Sequence, residues 1–192
     1  MDPVRLTGPR LALRELHGTP EEAAALHAVY GDPETVRYLA FEPADLDTCA
    51  DQLGLALDLA EEHPRTGYRL AVTRHADGPP ESAPLIGSAV LTVESAHAAS
   101  IGYALRRDTW GRGHGGEVTD LLCALAFDTL GLARLAARVD PANTASARLL
   151  LRAGFRLEGR IRRDLRVGGR WCDSDQYSLL DDEWPGPAPA RG

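Results

Sequence analysis

Residues 101–117 read IGYALRRDTWGRGHGGE, and the order of features in this stretch decides the fold. Its first part, extended back through residues 99–105 (ASIGYAL), has the composition of a strand. Gly102 inside it marks a bulge or a close backbone approach by another group. Residues 110–117 (WGRGHGGE) form a glycine-rich loop, after which Val118, Leu121, Leu122, Leu125 and Ala126 recur at three-and-four spacing. That spacing is one face of an amphipathic helix, and Gly131 ends it. A glycine loop between a strand and a helix can turn successive backbone amides toward one point at the helix N-terminus, and such a point attracts an anion. The bland alternative is a flexible turn. Arg112 favours phosphate.

Working outward, residues 10–16 (RLALREL) alternate apolar and polar, which predicts a strand with one buried face. Thr19, Pro20 and Glu22 supply a capping threonine, a proline at the first helical position and a glutamate three residues after the cap, so a helix runs to Tyr30. Gly31-Asp32-Pro33 stops it and starts a short turn over 34–38. A longer helix is expected over 47–62, although Leu53, Leu55, Leu57 and Leu59 alternate like a strand. Strands at 68–73 and 85–93 flank a polar loop at 75–84. Downstream come a short strand at 135–139, a helix at 144–153 closed by Gly154, a long strand at 155–167, a Gly168-Gly169 hairpin and a returning strand at 171–180. This is an α/β (α+β) fold: a mixed, largely antiparallel sheet, parallel only near the glycine loop, flanked by helices. Residues 1–184 read as one domain and 185–192 (PGPAPARG) as a frayed tail.

Composition narrows the function. The 192 residues are 44% hydrophobic and 26% charged with a net charge of -7, ample for one packed core. The acidic balance argues against nucleic acid as a partner. No apolar run nears the roughly 20 residues of a membrane span, and no signal segment opens the chain, so a soluble cytoplasmic protein is expected. Cys49, Cys123 and Cys172 offer neither a CxxC pair nor an even count, and the histidines lack metal spacing, so no metal is expected. Gly111, Gly113 and Gly116 satisfy the letters of a dinucleotide fingerprint, with Asp140 where a ribose-binding acid stands. Residues 106–110 separate these glycines from the strand, however, and antiparallel strands precede them, so an oxidoreductase of that kind is disfavoured. No Gly-Lys-Ser/Thr follows for a P-loop, and no G-x-S-x-G elbow is present.

Three segments together, IGYALRRDTWGRGHGGE, VDPANTAS at 139–146 and GFRLEG at 154–159, resemble the GNAT family of acetyl-CoA-dependent N-acetyltransferases, in particular its ribosomal-protein N-terminal acetyltransferase-like branch. The resemblance implies acetyl-CoA as cosubstrate, direct transfer through a ternary complex, and an amine-bearing acceptor, either a protein N-terminus or a small molecule. The family's Q/R-x-x-G-x-G/A motif falls on Arg112, Gly113, His114 and Gly115 in its last four positions, with Trp110 where glutamine or arginine would stand. Amides of Arg112, Gly113, His114, Gly115 and Gly116 would bind pyrophosphate; the strand, bulged near Gly102, would splay from the parallel strand at 135–139, so that backbone groups of Ala104, Leu105 and Arg106 would pair with the pantetheine arm. A monomer and a homodimer both remain open. The same residues are compatible with a non-catalytic acyl-CoA-binding module, against which Asn143 and Ser146 argue.

Acetyl transfer needs a neutral amine, a stabilised oxyanion and a proton for the thiolate. Amines titrate near about 10.4 and thiols near about 8.5, so the first and third need help at neutral pH. A backbone amide near Tyr103 is the oxyanion candidate. Many members of the family carry a tyrosine seven residues after the position of Asn143, and Leu150 stands there instead. Ser146 is the substitute proton donor, with Asn143 orienting the cofactor arm. Ser146 is equally a first-turn helix serine beside Asn143 as cap. For the base, Asp164 and Asp173 compete with a water path, whereas Glu158 is expected to pair across strands. The wall at 37–41 with Trp171 is expected to choose the acceptor.

Overall fold

The computed structural model describes residues 3–186, so the expected tail lies from residue 187 onward outside the described residues. The chain runs β1 (Arg5–Thr7), β2 (Leu11–Glu15), α1 (Pro20–Tyr30), α2 (Pro33–Val36), α3 (Leu46–Glu61), β3 (Gly67–Arg74), β4 (Leu85–Ser95), β5 (Ala98–Leu105), α4 (His114–Ala124), β6 (Arg134–Val139), α5 (Thr144–Arg152), β7 (Arg156–Val167) and β8 (Arg170–Leu180). Among the described residues these strands make one eight-stranded sheet in the order β1-β2-β3-β4-β5-β6-β8-β7. Every neighbouring pair is antiparallel except β5 and β6. A doubly wound dinucleotide fold is thereby excluded, because it needs a mostly parallel sheet.

Helices cover both faces, and the strands sort their side chains by size. Leu70, Val72, Leu91 and Leu105 pack against Val118, Leu121 and Leu122 of α4. On the other face Ala71 and Ala104 meet Leu26 and Val29 of α1 and Leu53 of α3, small strand residues that let the helices approach. Thr19 caps α1 by accepting from the Glu22 amide, and Asp45 caps α3 by accepting from Thr48. Within α3, Cys49, Leu53 and Ala56 are buried while Leu55 and Leu57 are exposed, so three-and-four spacing overrides the alternating leucines.

Four local expectations are corrected. A three-residue strand, β1, precedes the first expected one and pairs Leu6 with Leu13. In β2 Leu11, Ala12, Leu13 and Arg14 are all buried, because helices cover both sides; Arg14 remains charged-paired at 2.6 Å from Glu22 Oε1. The bulge expected near Gly102 lies on β4, between Val93 and Ser95, while β5 pairs evenly with β4 from Ala99 to Leu105. In β7, register shifts between Leu157 and Gly159 and between Ile161 and Leu165 break the expected alternation, and Arg163 takes φ +54° inside the second. Leu157, ahead of both shifts and opposite the buried Tyr177, is itself exposed on the edge strand although Phe155 is buried.

Candidate active site

The parallel pair is short. β5 and β6 register only from Ala98 opposite Arg134 to Ser100 opposite Ala136, after which they part. The Arg106 amide donates to the Ile86 carbonyl, which sets the phase of the antiparallel ladder. In that phase Gly102 and Ala104 bond to β4, whereas the amides of Tyr103 and Leu105 face away from β4 into the gap left by β6. Of the three residues expected to pair with a cofactor arm, Leu105 alone therefore presents a free amide, those of Ala104 and Arg106 being turned to β4; Tyr103, the expected oxyanion donor, presents its amide to the same gap. The Leu105 carbonyl accepts the Trp110 indole N–H at 2.7 Å, so Trp110 pins the strand's end where the family motif has glutamine or arginine. Arg106 is engaged by Asp108 at 2.6 and 3.0 Å.

The glycine loop turns into α4 at the same end of the sheet. Gly111 has φ +73° and Gly113, the residue capping α4, has φ +76°, conformations that a side chain strains. Gly115 is required for a different reason: a Cβ there would meet the Tyr103 hydroxyl at 2.6 Å and Leu149 Cδ1 at 2.8 Å. Gly116 borders open space. α4 and α5 thus meet through Gly115 and Leu149, and both N-termini project from the carboxyl ends of the two parting strands.

One brace of this loop is invisible in the local sequence. The Arg10 guanidinium donates to Glu117 Oε2 at 2.9 Å, to the Arg112 carbonyl at 2.7 Å and to the Gly113 carbonyl at 3.4 Å. The Glu117 carboxylate, 8% exposed, also accepts the amides of Arg10 at 2.7 Å and Leu11 at 2.8 Å. With the loop carbonyls held on Arg10, the amides of the same peptides are left to face the other way, as an anion cradle requires. Arg10 and Glu117 lie far apart in sequence, and neither carries a motif of its own.

His114 opens α4 with a buried imidazole whose Nδ1 has no partner. Burial, with the nearby Arg10 charge, holds its pKa below the ordinary value, so it is neutral at physiological pH. Burial likewise pushes the Tyr103 phenol up to about 12, against an opposing hydrogen bond with Thr119, so it stays protonated.

At α5 the alternatives for Asn143 and Ser146 separate. Asn143 Oδ1 accepts the Ser146 amide at 3.1 Å, which makes Asn143 the cap. The half-buried Ser146 hydroxyl has no hydrogen-bond partner among the described residues. Leu150, where the family's tyrosine would stand, is buried.

A cavity of about 400 Å³ opens where β5 and β6 part, lined by residues 37–41, Tyr103, Ala104, Arg138, Asp140, and 172–174 of β8. The wall at 37–41 is where the sequence put it. Trp171 instead is 57% exposed outside the lining, beside the Arg166 guanidinium. Asp173 lines the cavity, and its Oδ1 accepts the Arg163 amide at 2.9 Å. Asp164 does not line it; its Oδ1 lies 3.5 Å from Arg138 Nη1 and its Oδ2 is buried without a partner. Glu158 pairs with Arg134 and accepts from Ser178, as expected of a cross-strand charge.

Comparison with known proteins identifies the class. The family model described as Acetyltransferase (GNAT) domain matches residues 10–156. The uncharacterized N-acetyltransferase p20 of Bacillus licheniformis is 31% identical over 180 residues, covering 92% of this chain and 96% of that one. Among solved structures, a GCN5-related N-acetyltransferase from Brucella melitensis superposes with TM-score 0.76 at 26% identity, over 95% of this chain and 80% of that one. Spermidine N-acetyltransferase from Vibrio cholerae, solved with CoA and spermine, has TM-score 0.76 at 18% identity, over 92% and 98% of the two chains, a likeness of fold. The chain belongs to the GNAT acetyltransferase family and is an N-acetyltransferase. Among the described residues no helix is long and apolar enough to cross a membrane, and no three His, Cys, Asp or Glu side chains gather as metal ligands.

Proposed function

We propose that the protein moves an acetyl group from acetyl-CoA to a primary amine by direct transfer within a ternary complex. The observation that carries this reading is the parting of β5 from β6 after Ser100, beside a helix N-terminus built on left-handed glycines. The residues fit the cosubstrate: the amides of Arg112, Gly113, His114, Gly115 and Gly116 suit a pyrophosphate, and the amide of Leu105 suits an amide-bearing arm laid in the gap as an added strand, leaving the Tyr103 amide for the reacting end. When bound, the thioester supplies the activated acyl group.

The chain's own residues then divide the work. The Tyr103 amide stabilises the oxyanion. Asp173, on the cavity wall, takes the proton that the amine gives up as the C–N bond forms. Ser146 Oγ donates to the sulfur as the C–S bond breaks. Asp164, tied to Arg138 and away from the cavity lining, serves the acceptor wall rather than the proton. Asp173→Asn should abolish the acidic limb of the turnover–pH profile at saturating acetyl-CoA, and Asp164→Asn should retain it. If Asp173→Asn keeps the wild-type profile, the base is elsewhere.

CoA at about 100 times its dissociation constant should add roughly 2.7 kcal/mol of stability if only the folded state binds, and NAD should add none. A melting shift with NAD and none with CoA would overturn the reading.

A further inference from the structure

The cavity carries charge of both signs, arranged on different elements. Arg37 follows α2 and Arg138 comes from β6, while Asp140 and Asp173 stand on the β6 end and on β8. Each aspartate already accepts one backbone amide, from Ala142 and Arg163 respectively, which fixes it in place. Arg138 is held in two directions: its Nε donates to Gln176 Oε1 at 3.2 Å, and Nη1 faces Asp164, whose side chain is only 10% exposed. Its second Nη has no partner among the described residues. Arg37 sits 3.6 Å from Glu34 and 5.4 Å over the Tyr38 ring. Apart from Ser174 the remaining lining is apolar or aromatic, including Leu39, Phe41, Leu165 and Val167.

We infer that the acceptor is a small amine that also bears a carboxylate, of the class of free α-amino acids, with Arg138 and Arg37 holding the carboxylate. The inference rests on the reading that this cavity receives the acceptor. A guanidinium presents a planar fork matched to a carboxylate, and the anchors on Arg138 fix that fork before the ligand arrives. Asp173 lines the same cavity, on β8 rather than β6, and would meet the ammonium and take its proton. A polyamine would leave the second Nη of Arg138 beside a polycation with no anionic partner, an arrangement that costs affinity. The volume of about 400 Å³ lies at the small-molecule end of ligand sites. The apolar walls suit an uncharged side chain. Asp164 is in this account a positioning residue acting through Arg138.

L-phenylalanine, L-phenylalaninamide, phenethylamine and spermidine form a matched panel that separates carboxylate recognition from amine reactivity. Wild-type kcat/KM, read by thiol release, should be highest for L-phenylalanine. Arg138→Gln should lower the ratio of L-phenylalanine to L-phenylalaninamide by roughly 10- to 100-fold, the loss of one charge-assisted contact. Arg138→Lys should fall between, and Arg37→Gln, at an exposed position where folding is not at risk, should also lower the same ratio. Asp164→Asn should raise the KM for L-phenylalanine without a matching fall in kcat. A wild-type preference for spermidine, or for the amide as a mimic of a protein N-terminus, overturns the inference but leaves acetyl transfer standing. A ratio unchanged in both arginine variants also overturns it. Failure of CoA to raise the melting temperature overturns the underlying reading, and the inference with it.

Discussion

Gly113→Val is expected to weaken CoA binding by roughly tenfold or more. Gly113 holds φ +76° at the cap of α4, and an L side chain there costs about 1–2 kcal/mol, more for a β-branched one. A Cβ would rest 3.5 Å from Arg10 Nη2, an ordinary contact, so crowding is not the source of the effect. The backbone must instead leave the left-handed region, and the amides of residues 113–116 turn away from the point on which they converge. Each 1.4 kcal/mol of misplacement is a factor of ten in affinity. Titration calorimetry with CoA checks the prediction, and wild-type affinity in a folded Gly113→Val protein would put the phosphate site elsewhere. Gly115→Ala should also weaken binding, but by pushing on Tyr103 and Leu149.

The second large effect is at Ser146, where turnover should fall by roughly 10² in Ser146→Ala while CoA affinity and melting temperature stay almost constant. Stability is spared because Asn143 caps α5, and the Ser146 hydroxyl bonds to nothing among the described residues. Asn143→Ala should mainly weaken CoA binding and lower the melting temperature. It removes the cap, costs about 1 kcal/mol of stability, and loosens the helix start on which Ser146 is carried. Melting temperature and turnover measured on the same preparations separate these outcomes. Full activity in Ser146→Ala would remove the serine from the chemistry.

What the sequence made legible was local. The glycine loop, the caps Thr19 and Asn143, the Gly168-Gly169 hairpin and the strand-loop-helix order each depend on residues within a few positions of one another. The parting of β5 and β6 followed from the resemblance rather than from any period. Features set by distant partners were not legible. The Arg10–Glu117 brace joins the first long strand to α4, and neither residue stands out from the other charges. The bulge sits on β4 because a bulge belongs to a pair of strands, and Gly102 marks only one of them. Strict alternation over 155–167 would set Asp164 with Glu158 on the face opposite Phe155 and Leu165. Two register shifts in β7 bury it beside Arg138, leaving Asp173 on the cavity wall. β1 is too short to show a period.

The central claim, acetyl transfer directly from acetyl-CoA to an amine, is tested most directly by following free thiol and intact protein mass together. The protein is mixed with acetyl-CoA alone and then with a panel of amino acids, peptide amides and polyamines. The account predicts that thiol appears only when an accepted amine is present, in step with its acetylated product, and that the protein's own mass never changes. A burst of thiol with acetyl-CoA alone, matched by one acetyl group on the protein, would contradict it.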